Sequence, residues 1–293
     1  MIFLFRLAFA LAVLLPATAS YFIIQNNRPL PEPDNTRLTT TLENSIRWLV
    51  NNREFIIQAD NPMLLRMIQK ASELSGDDRL KRLFSDWSIR YFEPGIDNIW
   101  RPLIYPNTWI PFRLDQINHL PAYNRFFVYG YTCDNELRAT SEIQAQLDPD
   151  YCAQFLFSPS CETHQLMGLL LVRQSECVEA ELVDSTISRT QSRIRQKLIF
   201  DPRLSDAFMQ RVLMLADSGA TDLIKPVWIT RLINAQQIDG GWSPFIPFIN
   251  LGNRRTIGLN NGKLRLDRPK SNFHMTAQGV LLFTLLTNNR RHH

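Results

Sequence analysis

The sequence predicts an all-α protein whose helices form two layers, with one small β-hairpin as the exception. Apolar residues such as Leu42, Ile46 and Leu49 recur at steps of three and four, the period of an amphipathic helix. Two other segments, 161–172 and 274–286, are apolar almost all round, and such helices are buried on every side. Alternating apolar and polar residues, the period of a strand, flank only one turn.

The N-terminus has the three parts of a secretory signal peptide. The cation Arg6 precedes an apolar core over 7–15, and the small residues Ala17 and Ala19 form a cleavage site. An uncleaved membrane anchor is the alternative, because residues 21–24 lengthen the apolar stretch towards the length of a span. We favour cleavage because Arg6 would otherwise lie inside the membrane, where a charge is unfavourable.

Cleavage after residue 19 divides the chain into three parts. Residues 1–19 are the signal peptide, and residues 20–37 form an extended tether that contains three prolines. Residues 38–293 form a single helical domain that keeps no stable membrane span. We therefore expect an exported protein, either periplasmic or secreted.

The composition excludes two classes of protein. Hydrophobic residues make up 45% of the chain, which is ordinary for a globular domain and too high for a disordered one. The formal net charge of +4 is small for 293 residues, and no basic stripe is interleaved with aromatic residues. We therefore expect no nucleic-acid partner.

The four cysteines predict two disulfides. Cys133, Cys152, Cys161 and Cys177 lie close together in the chain, and an even number in an exported protein favours disulfides. The sequence allows three connectivities, among which pairing of neighbours closes only short loops. The alternative is a zinc site that uses Cys161 and His164, a C-x-x-H spacing, but no second pair of ligands completes it.

Capping residues locate the helices. Asn61 followed by Pro62 predicts a helix that runs to about Ser75, Gly76 ends it, and Asp77 begins the next one. Further helical patterns occupy 134–147, 163–173, 179–199, 203–217, 222–237 and 273–287.

The segment 91–133 is predicted to be an aromatic loop insertion. Prolines interrupt any long helix, and aromatic side chains crowd the same stretch. Such a segment either packs over the core or lines a pocket. In the second case Trp100 and Trp109 are the candidate side chains for stacking on a ligand.

A small β-hairpin is predicted near 250–268. Asn260-Asn261-Gly262 is a turn sequence, and alternating apolar residues flank it on both sides: Ile257, Leu259, Leu264 and Leu266. The same loop carries Arg254, Arg255 and Arg265, which would attract an anionic ligand. A solvated basic loop is the alternative interpretation.

The two apolar helices share a pattern. When Thr163 and Thr276 are aligned, both helices read Thr-x-Gln followed by an apolar run with a glycine. These two helices belong to an inner layer, whereas 41–52 and 207–216 have one apolar face and predict outer helices. Alternating inner and outer helices form an α/α toroid-like barrel, complete or incomplete.

The segment before the hairpin strengthens this prediction. Gln236, Gly240 and Trp242 stand at the spacing of a QW-type repeat, and His274-x-Thr276 opens the next helix. This stretch resembles the α/α-toroid superfamily of terpene cyclases and protein prenyltransferases over about 60 residues. The resemblance implies a toroid in which Trp242 stacks back on the preceding helix, while Gln236 binds free backbone groups at a neighbouring helix end.

The chain departs from the chemistry of these families. The zinc-dependent prenyltransferases bind metal through an Asp, a Cys two residues later and a His at the next inner helix. Asp239 and His274 match the first and last ligands, but Gly241 stands where the thiolate should be. The acidic motifs of the cyclases are absent as well. We therefore predict no metal, no cofactor and no prenyl chemistry.

Two pairs of an acid and a histidine are the candidate catalytic residues. His274 and His164 lie at the starts of the two inner helices and are expected to share one rim, where Asp239 could orient His274 and Glu162 is the acid beside His164. Histidines that merely support that rim through hydrogen bonds are the alternative. The candidate ligand-binding residues are Arg254, Arg255, Arg265, Trp100, Trp109 and Trp242.

Three functions remain open from the sequence. The first is an exported enzyme that cleaves a polar or anionic glycan of the cell envelope or of a host, through His274 with Asp239 or Glu162. The second is a non-catalytic binding protein that presents the aromatic and basic loops to a partner. The third is a metal-dependent enzyme centred on Cys161 and His164.

Overall fold

The computed structural model describes residues 18, 20–92, 98–106, 108, 111–154, 159–250, 256–260 and 263–290. The described residues are mainly helical, and the predicted all-α class with a small β-hairpin is confirmed. Among these residues, no helix combines the length and the apolar character that crossing a membrane would require. The signal peptide prediction lies almost wholly outside the described residues.

The α-helices of the described residues, from residue 35 onwards, are α1 (Asn35–Asn51), α2 (Arg53–Ile56), α3 (Pro62–Ser75), α4 (Asp78–Tyr91), α5 (Arg101–Ile104), α6 (Leu114–Ile117), α7 (Ala122–Thr132), α8 (Asn135–Arg138), α9 (Ser141–Leu147), α10 (Cys161–Gln174), α11 (Ala180–Phe200), α12 (Asp206–Asp217), α13 (Pro226–Asn234) and α14 (Phe273–Asn289). Short 3-10 helices occupy Tyr151–Gln154 and Thr221–Leu223. The strands are β1 (Ile246–Asn250), β2 (Thr256–Asn260) and β3 (Lys263–Asp267).

The longer helices alternate between an outer and an inner layer along the chain. The outer helices are α1, α4, α9, α11 and α13, and the inner helices are α3, α7, α10, α12 and α14. Within the inner layer α14 packs against α3 and α12, while α10 packs against α7 and α12. The short helix α5 contacts both α3 and α7 and fills the space between them. The described inner helices thus form a ring, as the alternating pattern predicts.

The inner helices all run in the same direction along the ring axis. On α10, His164 and Arg173 line two different cavities, and on α14 His274 and Leu281 line the same two cavities in the same order. We call the end where the inner helices begin the mouth, and the end where they finish the base. Every connection from an outer to an inner helix therefore lies at the mouth.

The capping predictions are confirmed. The Asn61 side chain accepts a hydrogen bond from the backbone of Leu64 at the start of α3. Asp77 caps α4 in the same way by accepting from Arg79. At the base, four inner helices are followed within two residues by one with positive φ: Gly76, Cys133, Glu176 and Gly219. This left-handed conformation ends a helix and turns the chain sharply.

The prediction of burial is confirmed for α10 and α14 and wrong for α12. Residues 207–216 were expected in an outer helix with one apolar face, but every residue from Phe208 to Ala216 is buried. The polar members of this run mimic a solvent face, yet they have partners inside the protein. Gln210 accepts a hydrogen bond from Thr163, and Arg211 forms an ion pair with Asp201.

Helix α7 corrects the prediction of a loop over 91–133. Its aromatic and glycine residues have modest helix propensity, but Phe126 to Gly130 are all buried, and this tertiary packing outweighs propensity. Gly130 and Gly168 let α7 and α10 approach closely. A Cβ on Gly168 would lie 2.2 Å from the Phe126 ring, and one on Gly130 would lie 2.7 Å from Leu171 Cβ.

The prediction of two disulfides is confirmed, but the pairing of neighbours, Cys133 with Cys152 and Cys161 with Cys177, is wrong. Cys133 bonds to Cys177, and Cys152 bonds to Cys161. Cys133 and Cys177 follow the ends of α7 and α10, which pack side by side, so residues distant in the chain meet at the base. The second disulfide ties the 3-10 helix Tyr151–Gln154 to the start of α10 at the mouth.

The predicted extended tether over 20–37 is wrong for its first part and for its last three residues, which belong to α1. Residues 20–27 are helical. Asn26 is buried, and its side chain donates to the Leu198 carbonyl oxygen at 2.6 Å, while its own carbonyl accepts from Trp228 Nε1 at 2.9 Å. These contacts join the segment to α11 and α13. The prolines that suggested a tether follow this helix.

The predicted hairpin is confirmed and is joined by a further strand. β2 and β3 pair antiparallel, with Ile257 opposite Leu266 and Leu259 opposite Leu264. β1 pairs with β2 on the other side and contains Pro247, which made it unrecognisable as a strand. The residues of the turn, 261 and 262, lie outside the described part of the chain. Every side chain of β3 is exposed.

The QW-like motif joins three helices. Gln236 Nε2 donates to the carbonyl oxygens of Thr41, in α1, and of Gly240, both at 2.9 Å. Gly240 has positive φ, and a Cβ there would lie 2.3 Å from the Asn44 carbonyl oxygen. The glycine is therefore required by its conformation and by the close approach of α1.

Trp242 completes this joint. Its indole nitrogen donates to the Leu232 carbonyl oxygen of α13 at 2.8 Å, so it folds back on the preceding helix as predicted. Its ring stacks on Phe283 of α14, with the ring centroids 5.6 Å apart. A Cβ on Gly279 would lie 2.5 Å from that ring. The motif positions the start of α14, and therefore His274.

Candidate functional site

A cavity of about 290 Å³ opens at the mouth of the ring. All five inner helices contribute side chains from their N-terminal halves, together with the loop that precedes α3. The polar lining residues are Asp60, Asn61, Tyr123, Asn124, His164, Gln210 and His274. We call this space the mouth cavity. Its inner wall consists of Met63, Met67 and Met167.

His274 forms an ion pair with Asp206. The Nδ1 atom of His274 lies 2.9 Å from Asp206 Oδ1, and both side chains are partly exposed. Burial lowers the pKa of His274, but the hydrogen bond and the negative charge of Asp206 outweigh it and raise the pKa above the ordinary value. Asp206 is the first residue of α12, and α12 packs against α14. His274 is therefore favoured in its protonated form.

His164 is held in the opposite state. Burial and, to a smaller extent, the positive charge of His274 lower its pKa to about 4, while Asp206 acts in the opposite sense. The ring of Tyr123 stacks on the imidazole with the centroids 4.2 Å apart and the planes 9° from parallel. His164 is therefore neutral at ordinary pH and has a nitrogen free of a proton.

The pKa values of the two histidines are displaced in opposite directions within one cavity. A neutral imidazole accepts a proton, and an imidazolium paired with a carboxylate donates one. Environments that push the pKa values of two neighbouring groups apart are typical of acid–base catalysis. The sequence predicts that His164 and His274 share one rim, and the described structure brings them together there.

The acids predicted as partners of these histidines are engaged elsewhere. Asp239 accepts hydrogen bonds from Trp48 Nε1 at 3.1 Å and Ser271 Oγ at 2.6 Å, so it closes the turn before α14 and does not orient His274. Glu162 is buried and forms an ion pair with Lys197 at 2.6 Å. Both assignments are therefore wrong, because each carboxylate has a structural partner.

The predicted aromatic ligand platforms do not reach the mouth cavity. Trp242 is fully buried in the joint between α13 and α14. Trp100 is buried against Tyr131, with their centroids 6.3 Å apart. Trp109 lies outside the described residues.

Of the predicted basic residues, only Arg265 lies in the described part of the chain. It is exposed on β3 and does not line the mouth cavity. Arg254 and Arg255 lie outside the described residues. The basic loop therefore stays a prediction as a ligand-binding surface.

Sequence reasoning missed Asp206 and Tyr123. Asp206 stands in a helix that was expected in the outer layer, so its place at the mouth was not recognised. Tyr123 lies in α7, which was expected to be a loop. Recognition of both helices as members of the inner layer would have placed both side chains at the start of a mouth-facing helix.

The third function requires a metal site at Cys161 and His164, and the structure leaves no thiolate at Cys161. Cys161 is bonded to Cys152, and a disulfide sulfur is not a thiolate ligand. Among the residues that the structure describes, no group of three or more His, Cys, Asp and Glu side chains is placed to hold a metal ion.

Comparison with known proteins adds no relative. No family model, no curated protein and no solved structure matches this chain. The resemblance to the α/α-toroid superfamily therefore stays a prediction that rests on the QW-like motif and on the layered packing.

Proposed function

We propose that the protein is an exported acid–base enzyme that cleaves an anionic glycan by elimination. The observation that carries the proposal is that His164 and His274 line one cavity, the first stacked on Tyr123 and the second bonded to Asp206. Their pKa values are displaced in opposite directions, the first lowered to about 4 and the second raised. Such a pair can remove one proton and deliver another in the same reaction.

Elimination matches this pair of groups. In a glycan of uronic acids, the carboxylate acidifies the neighbouring C5 proton, and the bond to be broken joins C4 to the glycosidic oxygen. His164 accepts the C5 proton and His274 donates its proton to the departing oxygen. One C–H bond and one C–O bond break, a C4–C5 double bond forms, and exchange of protons with solvent restores both histidines.

Hydrolysis matches the cavity less well. Glycoside hydrolases ordinarily use two carboxyl groups on opposite sides of the bond that breaks. Asp206 is paired with His274, and Asp60 is the carboxylate among the described residues that line the mouth cavity. The histidines, rather than two carboxylates, are the groups whose protonation states are set for proton transfer.

The mouth also favours a negatively charged substrate. All five inner helices begin there, and the N-terminus of a helix carries partial positive charge from unpaired backbone N–H groups. The charge of protonated His274 is balanced by its partner Asp206, so the positive helix ends are the groups that would attract the carboxylates of an anionic chain.

Export is supported by the cysteines. Both disulfides join cysteines that a reducing compartment would keep as thiols, which indicates an oxidising environment. The signal-like sequence over 1–19 supports the same location. Glycans of the envelope or of a host are within reach of an exported enzyme.

Turnover of a panel of polysaccharides tests this proposal. Polygalacturonate, alginate and hyaluronan are anionic substrates, and amylose is the neutral control. Elimination creates a double bond conjugated to a carboxylate, which is followed by ultraviolet absorbance. We expect turnover of at least one anionic polymer, and a loss of roughly a hundredfold or more in His164→Gln and His274→Gln.

His119→Gln is the matched control, because His119 is exposed and lies away from the cavity. It should retain full activity. Binding of a polysaccharide without turnover, at an affinity that His274→Gln leaves unchanged, would instead establish the non-catalytic binding protein. New reducing ends without absorbance would show hydrolysis and contradict elimination.

A further inference from the structure

We propose a second binding site, at the base of the ring, for a single-chain anionic amphiphile. A cavity of about 340 Å³ lies there among α3, α10, α12 and α14, at the opposite end from the histidines. We call it the base cavity. Its lining has an apolar interior and a charged rim. An anionic amphiphile has the matching parts, an apolar chain and a charged head group.

The interior of the base cavity is apolar and deformable. Buried Met67, Met167, Leu213, Met214 and Leu281 line it. Methionine is unbranched and polarisable, and clusters of it adapt to chains of different shape. An alkyl chain placed here would leave water for a surface that makes no hydrogen bonds.

The rim of the base cavity carries excess positive charge. Arg66, Lys70 and Arg173 stand against a single carboxylate, Asp217. Lys70 and Asp217 neutralise each other, because Lys70 Nζ lies 2.5 Å from Asp217 Oδ1. Arg173 Nη1 lies 3.6 Å from Asp184 Oδ1, so among the described residues Arg66 is the rim cation without a carboxylate partner, and its forked guanidinium matches a carboxylate, sulfate or phosphate.

The volume selects the size of the ligand. A cavity of about 340 Å³ lies at the lower end of the range for small-molecule sites, which is about 300–1,000 Å³. It accommodates one alkyl chain of moderate length rather than the two chains of an ordinary phospholipid. The ligand is either a free fatty-acid-like molecule or one chain of an anionic membrane lipid, and both present the same chemistry.

Three methionines connect this site with the mouth cavity. Met63, Met67 and Met167 line both cavities. A chain in the base cavity would therefore press on the inner wall of the cavity that contains His164 and His274. The binding site itself does not depend on the proposed enzymatic activity.

Titration calorimetry of the mature protein tests the proposal. Decanoate supplies a chain and an anion, decanol supplies the chain alone, and acetate supplies the anion alone. Vesicles of phosphatidylglycerol test the membrane source by co-sedimentation. We expect decanoate to bind, decanol to bind at least about tenfold more weakly, and acetate not to bind measurably.

Two sets of variants locate the binding. Leu170→Trp fills the cavity from a partly exposed position of α10 and should abolish binding, whereas Leu182→Trp, on exposed surface of α11, should not change it. Arg66→Gln with Arg173→Gln should weaken decanoate at least about tenfold and leave decanol unchanged. Arg189→Gln is the matched control, because that arginine lies on the outer helix α11 with 65% of its side chain exposed.

Each outcome of these binding experiments either supports or contradicts the proposed site. Binding of decanoate that depends on Leu170 and on the two arginines establishes the site. Vesicle binding that Leu170→Trp abolishes also establishes it and identifies the ligand as a membrane lipid. Equal binding of decanoate and decanol, binding of acetate alone, or binding that Leu170→Trp leaves unchanged in a folded protein would overturn the proposal. A circular dichroism melt of each variant confirms that it is folded.

Discussion

The two ends of the helical ring are built differently. At the base, the described connections are short turns with a left-handed residue, and the Cys133–Cys177 disulfide ties two of them together. At the mouth, four of the five connections between an outer and an inner helix are longer than any at the base, and the cavity there contains two histidines with displaced pKa values. The same inner helices begin at one end and finish at the other. The scaffold therefore separates a base that holds the helices together from a mouth that is available for chemistry.

The largest effect on stability is expected from the disulfide at the base. Cys133 and Cys177 are separated by 44 residues, whereas Cys152 and Cys161 at the mouth are separated by 9. Constraint of the unfolded chain grows with loop length, and it predicts about 4 kcal/mol for the first bridge and about 3 kcal/mol for the second. Urea unfolding of Cys133→Ala with Cys177→Ala, beside Cys152→Ala with Cys161→Ala, measures both. If loss of the Cys152–Cys161 bridge lowered the free energy of unfolding more, the base would not be the end that chiefly holds the helices together.

The next largest effect is expected on the proposed enzymatic activity, and it tests the role of the residues at the mouth. Asp206→Asn keeps the shape of the side chain and removes its charge, so the raised pKa of His274 should fall. Because protonated His274 is the proposed acid, the alkaline limb of the rate profile should move to lower pH. We expect kcat to fall roughly a hundredfold.

Asp206→Glu separates a positioning role from a structural one. It should recover part of the rate and return the alkaline limb towards that of the original protein. An unchanged alkaline limb in Asp206→Asn would show that Asp206 does not set the pKa of His274, even if the rate falls. The acid limb belongs to His164 and should stay near pH 4 in Asp206→Glu, whereas in Asp206→Asn it should move to lower pH, because the charge of Asp206 raises the pKa of His164.

A third prediction concerns stability against pH. His164 has an ordinary pKa of 6.5 when unfolded and about 4 when folded. Between these values the unfolded chain takes up a proton that the folded protein does not, so the free energy of unfolding falls as pH is lowered through this window. From pH 7 to pH 5 the loss due to His164 is roughly 2 kcal/mol. His274 acts in the opposite sense, since stability from its raised pKa is lost as pH rises above 6.5 through the folded value.

Urea unfolding at pH 7 and pH 5 checks this prediction. His164→Gln should lose roughly 2 kcal/mol less than the original protein on acidification. The exposed His119 supplies the control, and His119→Gln should follow the original protein at both values. Equal pH dependence in all three proteins would show that His164 is protonated normally in the folded state.

Local rules predicted much of this fold. The caps at Asn61 and Asp77, the two buried Thr-x-Gln helices and the hairpin follow from residues that are close in the chain. The same local pattern placed His164 and His274 at one end of the inner layer. What could not be predicted depends on contacts between distant residues.

The features that the sequence did not predict share one physical cause. Arg211 and Gln210 made α12 resemble a surface helix, because their partners Asp201 and Thr163 are not apparent from helical periodicity. The partner of His274 was missed with it, since Asp206 begins that helix. Burial with a satisfied partner is a tertiary property, and a pattern of polar residues alone does not show it.

The smallest predicted effect compares the two Thr-x-Gln motifs. Gln165 Nε2 donates to the carbonyl oxygens of Gln146 and Asp148 at 3.0 and 2.8 Å, so it ties α10 to the end of α9. Gln278 is fully buried, and neither its Oε1 nor its Nε2 has a hydrogen-bond partner among the described residues. It lies on the face of α14 that also carries His274 and Leu281, between the two cavities.

These contacts predict opposite effects for one substitution. Methionine has similar length and no hydrogen-bonding group, so Gln278→Met should raise the free energy of unfolding by about 1 kcal/mol, whereas Gln165→Met should lower it by a similar amount. Urea unfolding of both variants at pH 7 is the measurement. If Gln278→Met were instead destabilising, the amide would have a partner along the ring axis, and the space between the mouth and base cavities would be polar rather than sealed by methionine. A polar axis would weaken the separation of the two ends, because a hydrophilic ligand could then pass from one cavity into the other.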